Sequence, residues 1–186
     1  MKRLGILKII FMMLGLSSSL SFANLTKRKT QHPIYEQILR NRPKINKAYA
    51  MRLSNLIHTY TKRHKIPANI YTAILAQESM YKQHAKLCQT GLRLQPYYES
   101  LYDNKPYQKY KKTRVCFDFG ISMINFRTAK RYGFDINKLT SSLAYSVEAG
   151  VIVLKDFLKR GKHWTYYNAR TKIKRDIYKQ LVERYL

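Results

Sequence analysis

Glu78 is the residue of this sequence whose type and position best suit chemistry. It lies eight residues after Ile70 and four after Ile74, so on a helix its carboxyl continues an apolar stripe instead of facing away from it. A carboxyl so placed loses water, which disfavours its charged form and raises its pKa. A general acid that must hold a proton near neutral pH needs that shift. Spacing alone leaves a second reading open, in which Glu78 is solvated and pairs with Lys82 one turn later, in the favourable order. Cys88 and Cys116 are the only cysteines and have a single intramolecular pairing, so an oxidising compartment predicts one disulfide.

The elements that must position Glu78 are helical. From Ile45 the residues Tyr49, Leu53, Leu56 and Tyr60 form one stripe, and this helix should stop near His64. Pro67 suits the first turn of the next helix, which runs through Ile70, Ile74 and Ala76 to about Tyr81. Between Cys88 and Cys116 the periodicity fails. Gly91, Pro96, Asn104 and Pro106 mark turns among Tyr97, Tyr98, Tyr102, Tyr107 and Tyr110, which predicts a long loop or a pair of short elements held as a loop. Helical spacing resumes at Leu143, Val147, Val151, Leu154 and Leu158, with Thr140 or Ser141 as N-cap and Gly161 as terminator. A last helix is expected to bury Ile173, Ile177, Leu181 and Tyr185. No alternating run is long enough for a central sheet, so the class is all-α, or α with a minimal β element.

The chain opens with basic residues, an apolar run from Ile9 to Leu16, and Ser21-Phe22-Ala23, the pattern of a secretory signal cleaved after Ala23. An uncleaved anchor is the rival, but the run is well short of the roughly 20 residues that span a bilayer. The expected organisation is a signal peptide over 1–23, a basic leader over 24–41, and one domain over 42–186 with a cysteine-bounded insertion at 88–116. What remains after cleavage, about 160 residues, suits one compact domain. The net charge of +26 calls for an anionic partner: nucleic acid, an anionic membrane, or the peptide carboxylates of a bacterial cell wall. Export to the periplasm or cell envelope argues against nucleic acid.

The stretch Ile66-Pro67-Ala68-Asn69-Ile70-Tyr71-Thr72-Ala73-Ile74-Leu75-Ala76-Gln77-Glu78-Ser79 resembles the catalytic-helix signature of the soluble lytic transglycosylase (SLT-domain, lysozyme-like) family, in which a Glu-Ser pair ends an Ala- and Ile-rich helix. The resemblance implies a lysozyme-like single domain, Glu78 as sole acid/base, and Ser79 as support for Glu78 and the substrate. Asp118-Phe119-Gly120-Ile121-Ser122-Met123-Ile124-Asn125 is similar to the family's Gly-Leu-Met-Gln-Ile segment beside the sugar groove, which implies substrate contacts for Gly120, Ile121 and Met123. It departs from the family at Ser122-Met123. Taken alone, the octet also fits an ordinary turn entering a helix. Ser146-Val147-Glu148-Ala149-Gly150 resembles a structural helix that packs behind the site. Tyr166-Tyr167-Asn168-Ala169-Arg170 resembles the family's Ala-Tyr-Asn-x-Gly turn, which implies that Tyr167 reaches the reacting sugar and Asn168 holds the turn, with Arg170 in place of Gly. A Tyr-Asn pair alone more often packs than reacts. Tyr178 to Tyr185 resembles the family's closing helix.

The implied reaction is cleavage of the N-acetylmuramic acid–N-acetylglucosamine bond of peptidoglycan with formation of a 1,6-anhydro sugar, using no metal or cofactor. The implied setting is a monomer acting on glycan strands, in association with a secretion or conjugation machine of the envelope. Asp118 is the nearest candidate for a second carboxylate; facing Glu78, it would favour a hydrolytic, goose-type lysozyme reaction. A basic helical nucleic-acid binder and an inactive wall-binding protein, suggested by Met123 and Arg170, are the other readings. The tyrosines and lysines between Cys88 and Cys116 are expected to stack on sugars and to meet stem carboxylates at the groove edge.

Overall fold

The computed structural model describes residues 33–90 and 114–186, which fall in one compact unit. The order is α1 (Pro33–Asn41), α2 (Lys47–His64), α3 (Ala68–Ser79), β1 (Lys86–Thr90), β2 (Arg114–Phe119), β3 (Ile124–Asn125), α4 (Phe126–Tyr132), α5 (Ile136–Ser141), α6 (Leu143–Lys159), a 3-10 turn at Trp164–Tyr167, and α7 (Lys172–Glu183). The architecture is helical with a small antiparallel sheet in the order β1-β2-β3, as the sequence leads one to expect. Among the described residues no helix is long and apolar enough to cross a membrane.

The helix at the centre is α3. Tyr71 through Ala76 are all buried, so it is apolar on every side and must be covered all round; α1, α2 and α7 pack against it. Ile38, Leu53, Ile57, Ile74, Leu75, Val147, Val151 and Leu154 make the main core with it. A second cluster, of Phe119, Ile124, Ala129, Leu139, Ala149 and Val153, joins the sheet, α4 and α5 to the other flank of α6. The caps are chemical: Asn46 accepts from the Tyr49 amide to start α2, and Ser142 accepts from the Tyr145 amide to start α6, one residue later than the sequence suggests.

Two expectations are corrected. Residues 33–41, assigned to a basic leader, form α1, which buries Ile34, Tyr35 and Ile38 in the main core. Gln37, also buried, donates from Nε2 to the Asn69 carbonyl at 3.0 Å and the Tyr185 carbonyl at 2.9 Å, tying α3 to the end of the chain. The last helix turns the other way: Ile173 and Ile177 are 74% and 52% exposed, while Tyr178 and Val182 are buried. The expected disulfide is present: Cys88 and Cys116 are joined, and they are register partners on the paired strands β1 and β2. The tyrosines from Tyr97 to Tyr110 lie outside the described residues.

Candidate active site

The end of α3 is shaped by two consecutive left-handed residues, Met80 (φ 50°) and Tyr81 (φ 61°), neither of them glycine. That conformation is costly for side chains with a Cβ and persists only where the surroundings hold it. Here they do. The Arg42 guanidinium donates to the Met80 carbonyl at 2.8 Å, and the Tyr49 hydroxyl donates to the Tyr81 carbonyl at 2.9 Å. Tyr81 itself is fully buried and accepts at its hydroxyl from Asn41 at 3.0 Å. The helix therefore stops one residue after Glu78, and no further turn exists to carry Lys82 into an i, i+4 pair with it.

Glu78 instead points into a groove of about 640 Å³. Its carboxylate meets two donors from the C-terminal part of the chain. The Tyr178 hydroxyl donates to Oε1 at 2.6 Å, and Asn168 Nδ2 donates to Oε1 at 2.9 Å and Oε2 at 3.2 Å. Burial pushes the carboxyl up to about 7; the hydrogen bonds from Tyr178 and Asn168 oppose that shift, and the Asp118 carboxylate adds to it. Oε1 accepts both donors at short range, which leaves Oε2 as the oxygen best placed to carry a proton.

Asp118 lines the same groove from β2. Asn125, its register partner on β3, donates from Nδ2 to Asp118 Oδ1 at 2.8 Å and accepts at Oδ1 from the Arg127 amide, so one side chain both orients Asp118 and caps α4. Burial raises the Asp118 carboxyl above its ordinary value, against the pull of that hydrogen bond. Among the described residues no three His, Cys, Asp or Glu side chains come together as metal ligands would.

Of the residues expected here, Glu78, Met123, Tyr167 and Asn168 line the groove together. Met123 is left-handed (φ 45°), which turns its side chain into the groove while Ile121 and Ser122 beside it are fully buried. Tyr167 donates its hydroxyl to the Ser122 carbonyl at 2.8 Å, so it anchors the Gly120–Met123 turn as well as facing the groove. Three residues have other roles than expected. Ile121 sits in the main core, out of a ligand's reach. Gly120 (φ 75°) lets the backbones close up: a Cβ there would lie 2.1 Å from the Leu139 carbonyl oxygen. Ser79 is buried and donates to the Leu75 carbonyl at 3.1 Å, so its hydroxyl serves the helix end.

Behind the site, Gly150 of α6 leaves room for the buried hydroxyls of Tyr71 and Ser122, which are 2.8 Å apart; a Cβ at Gly150 would come within 2.2 and 2.5 Å of them. The structural role expected for this stretch of α6 thus has a specific cause. Tyr178 received no role from the sequence. The signal was the stripe Tyr178, Val182 and Tyr185, spaced as a helical face but outweighed by the more apolar Ile173 and Ile177.

A family model described as the transglycosylase SLT domain matches residues 55–179, a span that includes α3, the sheet, α6 and most of α7. No curated protein and no solved structure matches the chain.

Proposed function

Because the chain belongs to the transglycosylase SLT-domain family, whose activity is of the lytic transglycosylase type on peptidoglycan, we propose that it cleaves the bond between N-acetylmuramic acid and N-acetylglucosamine with Glu78 as its single acid/base. Protonated Oε2 gives its proton to the bridging oxygen as the bond to the muramic anomeric carbon breaks. The resulting carboxylate then takes the proton of the muramic 6-hydroxyl as that oxygen bonds to the same carbon. The products are a 1,6-anhydro end and a free N-acetylglucosamine 4-hydroxyl, and Glu78 returns to its starting protonation.

One observation carries this reading: Glu78 is buried enough to titrate near 7 yet hydrogen-bonded as an anion by Tyr178 and Asn168. A group that must act as acid and then as base in one cycle works best with a pKa near the operating pH. Asp118 in the same groove favours a second reading, hydrolysis, in which it would assist an attacking water. The products decide between them. Mass spectrometry of strands digested by the purified protein should find anhydro-muramoyl ends; reducing muramoyl ends instead would assign the hydrolytic reading.

The same reading makes residues 1–23 a cleaved export signal and the periplasm or envelope the place of action, supported by their charge and apolar pattern. A role in local wall opening for a secretion or conjugation machine extends this reading.

A further inference from the structure

The closing helix α7 carries two apolar stripes, and the domain covers only one of them. Tyr178 and Val182 are buried on the side that packs against α3. Ile173, Ile177 and Leu181 recur every four residues and form the second stripe. Ile173 and Ile177 are 74% and 52% exposed, the two most exposed large apolar side chains among the described residues, and Leu181 is half-buried. Single exposed apolar residues are ordinary, but isoleucines one turn apart on a charged helix make a continuous patch.

The charges around this stripe are sorted. Asp176 and Glu183 lie to one side of it, each taken by the lysine one turn before: Lys172 at 3.1 Å and Lys179 at 3.7 Å. Lys174 lies on the other side, and Arg184 continues the line two turns beyond Ile177. Both are exposed, and neither is in an ion pair among the described residues. A surface helix that presents apolar side chains bordered by free cations suits the boundary of an anionic bilayer, where the apolar groups enter the acyl region and the cations meet lipid phosphates. With 12 residues α7 is far too short to span the bilayer and would lie in its plane.

A protein partner fits this face less well. The stripe runs about 12 Å from Ile173 to Leu181 and is one side chain wide. That is far less than the roughly 800 Å² that each partner gives to a stable protein interface. A second copy of the chain would set like charge against like, since each carries +26. A lipid surface imposes neither condition.

We infer that the outward face of α7, with Ile173, Ile177, Lys174 and Arg184, docks the protein onto an anionic phospholipid surface. Among the described residues none of α7 lines the groove, so a docked chain keeps its groove open. The inference concerns binding and stands apart from the reaction proposed for Glu78.

The test is cosedimentation of the full chain, at physiological salt, with vesicles of phosphatidylglycerol and phosphatidylcholine in equal parts and with vesicles of phosphatidylcholine alone. The chain should bind the mixed vesicles strongly and the neutral ones weakly. Ile173→Ser with Ile177→Ser should lower binding to the mixed vesicles about tenfold, the scale of withdrawing two apolar side chains from the acyl boundary. Met51→Ser with Leu87→Ser, which removes exposed apolar surface from α2 and β1, should leave it within about twofold. Lys174→Gln with Arg184→Gln should weaken binding more than Lys47→Gln with Arg52→Gln, an equal loss of charge around α2. Ile177→Trp, which keeps the apolar surface, should add an emission that shifts to the blue when mixed vesicles are present. Failure to bind the mixed vesicles overturns the inference and leaves an acidic protein surface as the occupant of the stripe. Equal losses with the Ile173–Ile177 pair and the Met51–Leu87 pair overturn it too, as does an unshifted Trp emission, because overall charge would then account for the binding without α7.

Discussion

At Glu78 two influences oppose each other: burial lifts the carboxyl to about 7, while the Tyr178 hydroxyl and the Asn168 amide hold the anion and pull it back. Activity that begins with a protonated Glu78 should therefore fall as pH rises through about 7. Tyr178→Phe removes a hydrogen bond to the charged form, so the alkaline limb should move to higher pH and the rate should drop roughly tenfold or more. Asp118→Asn removes a neighbouring negative charge, so the limb should move to lower pH. Rate–pH profiles check both, and limbs that do not move in opposite directions would contradict this electrostatic account. Glu78 was legible in the sequence because the residues of α3 set its helical phase and the motif around it is local. Tyr178 was not, since its contact spans the whole domain and depends on which face of α7 is buried. Ser79 and Ile121 stand within the matching motifs, but a motif does not say whether a side chain faces the groove or the core; Gly120, which has no side chain, acts through the close approach of its backbone to Leu139.

At the scale of elements, the site depends on close packing behind it. Gly150→Ala would push a methyl into the Tyr71 and Ser122 hydroxyls and should cost about 1 to 3 kcal/mol, read from chemical denaturation. A cost near zero would mean that α6 can shift away from α3 freely. The disulfide between Cys88 and Cys116 closes β1 onto β2, the strand that carries Asp118. Reduction should lower stability by on the order of 3 kcal/mol. An identical melting temperature with and without reductant would contradict this. The helices α2, α3 and α6 were legible because their apolar positions recur with helical period, and α2 and α6 begin at ordinary side-chain caps. The strands were not, because β3 has two residues and β1 and β2 pair across a long separation that leaves no local signature.

Over the whole molecule, α1 is the element that joins the ends of the site. It buries Ile38 against the core, and through Gln37 and Asn41 it holds both the start of α3 and the Tyr185 carbonyl just beyond α7. Ile38→Ala should cost about 2 to 5 kcal/mol in a denaturant titration, whereas a dispensable basic leader would show no change. The first helix escaped the sequence reading because its nine residues sit in a basic, proline-flanked stretch, where four buried positions do not stand out. Such long-range ties let Glu78 from α3 meet Tyr178 from α7 and Asn168 from the preceding turn, and the central claim is that this one carboxyl does both the acid and the base work. Its most direct test is Glu78→Gln, which keeps the size of the side chain and removes the transferable proton. Anhydro-muramoyl product from purified peptidoglycan should vanish while the helical circular-dichroism signal is unchanged; product formation at the unsubstituted rate would contradict the claim.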